Sequence, residues 1–231
     1  MTLCIGWRTQ GQLFFAADSR ISFPDNYPFD ETIKVVPVRM EIDIMNPMTG
    51  SDEELFHGNI SLCFSGSTVN AFALREALYD RLTSLLTPTY RFESIARQAF
   101  KKYVDVSRKL CFSLASEKGQ SAVIISGYCY ESDRVKAFAF TPSPTIANEY
   151  DFSNILENDG DHIFFGSGKK AALKVLSTLG DQTEQTDRML NILAQVIADE
   201  DVPSVGGKIR FGKFDRKHSF RSHWLRTDIS R

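Results

Sequence analysis

The chain has 231 residues, 42% of them apolar and 24% charged, which is the composition of a globular domain rather than of a disordered or fibrous chain. Its 27 basic and 29 acidic side chains leave a net charge of −2, so no overall field draws it to nucleic acid or to an anionic membrane. The length predicts one large domain over residues 1–231.

Residues 2–7 and 12–18 are apolar runs around Arg8-Thr9-Gln10-Gly11 and predict an N-terminal hairpin. The second run, Leu13-Phe14-Phe15-Ala16-Ala17, is almost unbroken in its apolarity, as expected of a strand covered on both faces. A Pro- and Asp-bearing loop over 21–30 precedes strand character at 32–38. Residues 45–59, with Pro47, Gly50 and Gly58, are the most loop-like stretch of the first third. A buried strand over 60–65 then closes at Gly66, and Ser67 opens a helix through Leu82 that ends near Pro88. A second helix runs from about Phe92 to Leu110, its apolar residues spaced by three and four.

Residues 121–129 and 134–140 predict a strand pair, and 161–165 a short strand that Gly166-Ser167-Gly168 turns into a helix from Lys169. Another helix covers 186–198, followed by strands at 208–211 and 224–229. Strands, two helices, strands, two helices, strands is the order of a layered α+β domain with helix pairs outside and sheets inside. The first residues lack a basic segment leading into a long apolar one, and no run approaches ~18 apolar residues, which predicts a cytoplasmic chain. Cys4, Cys63, Cys111 and Cys129 lie far apart with no C-x-x-C pair, and predict reduced core thiols rather than zinc ligands or a disulfide framework.

The chemistry centres on Thr2. Once Met1 is removed, threonine carries a nucleophilic hydroxyl and an α-amine with an ordinary pKa of about 7.7–8.0, a usable base near neutral pH. A lysine beside that hydroxyl would ease proton transfer, and a carboxylate would hold the lysine charged. Asp18 and Lys34 supply such a pair, although each residue alone also suits a charged surface turn.

The segments Thr2-Leu3-Cys4-Ile5-Gly6, Phe15-Ala16-Ala17-Asp18-Ser19-Arg20 and Lys34 ahead of an apolar strand resemble the N-terminal third of proteasome β-type subunits. These belong to the N-terminal nucleophile hydrolases, and the resemblance is closest to proteasome and ancestral bacterial proteasome-like (Anbu) chains. Phe64-Ser65-Gly66-Ser67 resembles the family's turn that offers an oxyanion-stabilising N–H, which implies that role for Gly66. Gly166-Ser167-Gly168 and Asp201-Val202-Pro203-Ser204-Val205-Gly206 resemble its serine-bearing turn and its Asp-x-x-Ser-x-Gly segment, implicating Ser167, Asp201 and Ser204 beside the nucleophile, with Arg20 in support. Ile21, Thr32, Phe64 and Thr68 align with substrate-pocket positions, and 38–59 reads as an insertion.

The resemblance implies a four-layer αββα sandwich and a threonine peptidase with no metal or organic cofactor. It further implies homo-oligomeric rings that enclose the nucleophiles, peptide or unfolded-protein substrates, and an ATP-dependent unfoldase as partner. With no segment ahead of Thr2 but Met1, maturation would need only an aminopeptidase. The competing readings are a catalytically silent homologue with a structural or assembly role, and an amidohydrolase acting on small amides.

Other signals fail. Gly166-Ser167-Gly168-Lys169-Lys170 lacks the earlier glycine of a phosphate loop, Ile163 standing there, and Lys170 replaces its Ser or Thr. His57, His162, His218 and His223 form no H-E-x-x-H motif, and the last two fall in a basic stretch that reads as a solvated tail or subunit contact.

Overall fold

The computed structural model describes residues 2–22, 27–45, 48–83, 85–86, 90–113, 119–179 and 184–225. Its first half contains β1 (Cys4–Thr9), β2 (Gln12–Ala17), β3 (Val35–Met45), β4 (Asp52–Gly66), α1 (Thr68–Leu82), β5 (Leu85–Leu86) and α2 (Phe92–Ser113). The second half continues with β6 (Ser121–Cys129), β7 (Arg134–Pro142), β8 (Tyr150–Ile155), β9 (His162–Phe165), α3 (Lys169–Thr178), α4 (Gln185–Ala198), β10 (Arg210–Phe214) and β11 (Phe220–Trp224). The fold is mixed α+β with two sheets, ordered β11-β10-β2-β1-β9 and β5-β3-β4-β6-β7-β8. All pairings are antiparallel except that of β3 with β5.

The N-terminal hairpin forms because Gln10 and Gly11 both take positive φ, 50° and 72°, the conformation that a two-residue turn between right-twisted strands requires. The unbroken apolarity of β1 and β2 is explained by cover on both sides. Ile5, Trp7 and Ala16 pack against Ala172 of α3 and Ile192, Leu193 and Val196 of α4. On the opposite face Leu13, Phe15 and Ala17 meet Val35, Ile124 and Phe220, so the two sheets share a core. The six-stranded sheet buries its other side, including Val38, Ile60, Phe138 and Phe140, under Leu74 and Leu78 of α1 and Phe92 and Tyr103 of α2. Each fully buried side chain of this size stabilises the fold by about 1.5–3 kcal/mol.

Two sequence expectations are corrected, and strand β8 forms where the sequence predicts no element. Most of 45–59 is strand rather than loop: β4 begins at Asp52 and pairs with β3 along its length, with buried Phe56 opposite buried Ile42. The glycine and asparagine there suggest a break, yet Gly58 is needed where Phe56 crowds the backbone, a Cβ there lying 2.6 Å from the ring. Strand β8 has a loop-like sequence because it is an edge strand; it is recruited by Phe152, stacked on Phe138 and Phe140. Among the described residues the last strand is Phe220–Trp224; most of the strand expected at 224–229 falls on 226–229, which lie outside them.

Finally, Cys4 and Cys63 are not free thiols but a disulfide joining β1 to β4; Cys111 and Cys129 are free. The 59-residue separation hides this pair in the sequence, since only the packing of the two sheets brings the cysteines together. No helix among the described residues is long and apolar enough to cross a membrane.

Candidate active site

The hairpin register sets the site. Cys4 lies opposite Ala17, and the ladder continues with the Asp18 N–H donating to the Leu3 carbonyl at 3.3 Å, so Asp18 sits across from the residue after Thr2. The Asp18 carboxylate is wholly buried and saturated with donors. Its Oδ1 accepts from the Leu3 N–H at 2.9 Å, and its Oδ2 from the N–H groups of Arg20 and Gly206 at 3.1 and 3.2 Å. Lys34 Nζ, on a side chain 2% exposed, donates to both oxygens at 3.1 Å and to the Arg20 carbonyl at 2.5 Å. A buried charge pair is tolerated when its remaining hydrogen-bonding positions are filled, as they are here. Burial pulls the Lys34 pKa below the ordinary lysine range, with Asp18 and then Asp30 opposing that shift and Arg20 adding to it.

Thr2, 2% exposed, is held through its carbonyl, which accepts from the Gly168 N–H at 3.4 Å. Gly166 makes that approach possible: its φ is +99°, and a Cβ there would stand 1.9 Å from the Thr2 oxygen. Thr2 also lines a cavity of about 400 Å³ with Arg20, Ile21, Ser22, Gly66, Thr68 and Val69. Gly66 ends β4 with φ +98°, and Ser67 then caps α1, its hydroxyl accepting from the Asn70 N–H at 3.3 Å. No hydrogen bond among the described residues joins Lys34 Nζ to the Thr2 hydroxyl; the lysine donates instead to Asp18 and to the Arg20 carbonyl.

The remaining sequence candidates fall in four groups. Ser167 and Ser204 meet, Oγ to Oγ, at 2.8 Å on the loops flanking Gly168 and Gly206. Asp201 is exposed, and its backbone N–H donates to Asp199 Oδ1 at 3.0 Å; no side-chain bond places it beside Thr2 among the described residues. Arg20 braces the site from outside, donating to both oxygens of Asp30 at 2.8 Å and to the Pro203 carbonyl at 3.2 Å. Of the pocket positions, Thr68 lines the Thr2 cavity, Ile21 lines both that cavity and a neighbouring one, and Thr32 lines the neighbour alone. Phe64 is buried beneath Phe72, the ring centroids 5.9 Å apart.

Sequence reasoning passed over Ser19 and Gly206. Ser19 Oγ donates to the Asp30 carbonyl at 2.5 Å and accepts from the Lys208 N–H at 2.8 Å, tying the Asp18 turn to the 206–208 loop. Among the described residues no group of three or more His, Cys, Asp or Glu is placed to hold a metal ion.

No protein-family model matches the chain, and no curated protein matches it by sequence. Solved structures do. A Gly-1 mutant of Anbu from Hyphomicrobium sp. strain MC1 superposes with a TM-score of 0.66 at 16% identity, over 99% of this chain and 88% of that one. Anbu from Yersinia bercovieri, described as an ancestral beta-subunit, gives 0.65 at 12% identity over 98% and 88%. Another Anbu structure from the Hyphomicrobium strain gives 0.65 at 14% over the same shares. The structural neighbours of this chain are therefore Anbu proteins, and their fold is the one that it adopts over nearly its whole length.

Proposed function

We propose that this chain is a threonine hydrolase of proteasome type, a four-layer αββα sandwich that cleaves peptide bonds with Thr2 once whatever precedes that residue is removed. The observation that carries the reading is the buried Asp18–Lys34 pair, fastened to the Leu3 N–H beside a threonine that faces a cavity. Thr2 Oγ attacks the scissile carbonyl while its own α-amine takes the proton, directly or through water. The Gly66 N–H faces the developing oxyanion, a donation worth about 10²–10³ in rate at comparable sites. The amide nitrogen leaves with the proton, and water hydrolyses the acyl ester. Lys34 assists from the ammonium form, turning from the Arg20 carbonyl towards Thr2. Activity then rises with pH through about 7.7–8.0 as the amine loses its proton. It falls again where Lys34 deprotonates, below the ordinary lysine range.

Peptide or unfolded-protein substrates, homo-oligomeric rings in the cytoplasm and an unfoldase partner complete this reading. The Cys4–Cys63 link is fully buried, which limits the access of thiol reductants to it. A second reading, a catalytically silent homologue, is favoured by one observation: Lys34 spends its donors on Asp18 and Arg20. An epoxyketone probe separates the two. Intact-mass analysis should show a chain beginning at Thr2 that gains one adduct there. Chains beginning at Thr2 that gain none would establish the silent reading.

A further inference from the structure

A backbone N–H stabilises an oxyanion only if the turn that carries it is held still, because the gain comes from a donor aimed in advance. Gly66 stands opposite Ser121 at the end of the β4–β6 ladder, and the next N–H, that of Ser67, donates to the Gln120 carbonyl at 2.8 Å. The fit is close: a Cβ on Gly66 would lie 2.7 Å from the Gln120 oxygen. The direction of the turn is therefore set on both sides by one short segment, residues 119–121.

That segment is tied to both helices above it. From α2 the Tyr103 hydroxyl donates to the Ser121 carbonyl. From α1 the Asn70 Nδ2 donates to the Gly119 carbonyl at 2.6 Å and to Ser107 Oγ, on α2, at 3.0 Å. A carbonyl only accepts, so the end of the amide that meets Gly119 is its donor. Asn70 is fully buried on the same face of α1 as Ala71, Leu74 and Leu78, and its Oδ1 accepts no hydrogen bond among the described residues. An amide left half satisfied in an apolar face is a cost, set here against the two bonds its nitrogen makes.

The backbone of Asn70 completes the arrangement, its N–H meeting Ser67 Oγ at 3.3 Å. Hydrogen bonds thus run from Asn70 to Ser67, from Ser67 to Gln120, and from the Asn70 side chain back to Gly119. This ring couples the direction of Gly66 to a side chain that does not line the Thr2 cavity.

We propose that Asn70 is a positioning residue for the oxyanion: by donating to the Gly119 carbonyl, its side chain holds residues 119–121 against Gly66 and so aims the Gly66 N–H at the carbonyl that Thr2 attacks. The inference rests on the hydrolase reading above and adds to it the residue that sets the oxyanion donor.

The test compares wild type with Asn70→Ala in turnover of a fluorogenic peptide and in inhibition by a peptide boronate, whose adduct with the Thr2 hydroxyl is tetrahedral like the intermediate. Asn70→Ala should lower kcat about tenfold, a fraction of what outright loss of such a donor costs, with KM unchanged, because the bond it misdirects forms only in the transition state. Affinity for the boronate should fall by the same factor. Asn70→Ser, whose hydroxyl bonds to a carbonyl of its own helix, breaks the same link with less disturbance of the interior and should show the same losses if the alanine variant does not fold. Ser107→Ala removes the other acceptor of the amide and should lower stability while leaving kcat and boronate affinity unchanged.

Unchanged kcat in a folded Asn70 variant overturns the proposal, as does a loss of kcat that boronate affinity does not follow. Equal losses in Ser107→Ala also overturn it, since they would follow stability rather than the direction of Gly66. An epoxyketone adduct at Thr2 of the wild type keeps the hydrolase reading standing in each of these cases. Absence of that adduct defeats the hydrolase reading and this proposal with it.

Discussion

The polar groups behind the two cavities that share Ile21 are treated in opposite ways. Around Asp18 every donor meets an acceptor: the carboxylate takes Leu3, Arg20, Gly206 and Lys34, and Ser19 both gives and receives. Beyond Ile21, Thr32 Oγ1 is orphaned and Arg210 lacks a carboxylate among the described residues. Satisfied buried polar groups fix a geometry, whereas unsatisfied ones are a standing cost. Behind the first cavity the geometry is fixed, and at the second a buried hydroxyl is left without a partner among the described residues.

The largest effect should come from Gly166→Ala, which breaks the saturated side of this contrast. A Cβ 1.9 Å from the Thr2 carbonyl oxygen at φ +99° cannot be accommodated without moving Thr2 and the strand that follows it. We expect a loss of at least about 3 kcal/mol in urea denaturation and no epoxyketone adduct. A variant with near-native stability would show that β1 does not depend on this contact.

Asp18→Ala should follow, costing about 3–5 kcal/mol because it strands the Lys34 ammonium in the interior. Adding Lys34→Met should return most of that stability. A double variant no more stable than the single one would mean that the charge pair is not what is lost.

A smaller, pH-dependent effect is expected at the rim. The Arg20 hydrogen bond holds the Asp30 carboxyl below the ordinary carboxylate range, against the upward push of burial. A carboxylate depressed in the folded state stabilises above its unfolded pKa of about 3.9 and loses that contribution as pH falls through the lower folded value. Arg20→Ala should therefore cost about 0.5–1 kcal/mol near neutral pH for this partly exposed pair, and the gap to wild type should close in acid. A gap that widens in acid would contradict the sign. Last, Thr32→Val should leave stability unchanged or raise it by up to about 1 kcal/mol, since its hydroxyl has no partner to lose. A clear loss would reveal a bond to Oγ1 and remove the contrast between the cavities.

The Asp18–Lys34 pair was legible because it sits in a short hairpin and the segment after it, where chain-local signals and the family resemblance coincide. The Ser167–Ser204 contact was legible only as two separate motifs. Arg75, Arg210 and Glu31 carried no signal: one charged residue each on a helix, a strand and a loop reads as surface until the cavity assembles them. The long β3–β4 hairpin was missed because Gly50, Gly58 and Pro47 outweigh a weak alternation that becomes decisive once Phe56 is buried opposite Ile42.

By itself, the sequence determined the N-terminal hairpin and the alternation of strand runs with helix pairs, because period, turn chemistry and spacing act over short stretches of chain. Only the tertiary structure decided that Cys4 meets Cys63, that Asp18 is saturated by donors as distant as Gly206, and that Thr32 is left wanting. Those outcomes depend on how two sheets pack face to face, and packing is settled by the sum of many burials rather than by any local run of residues.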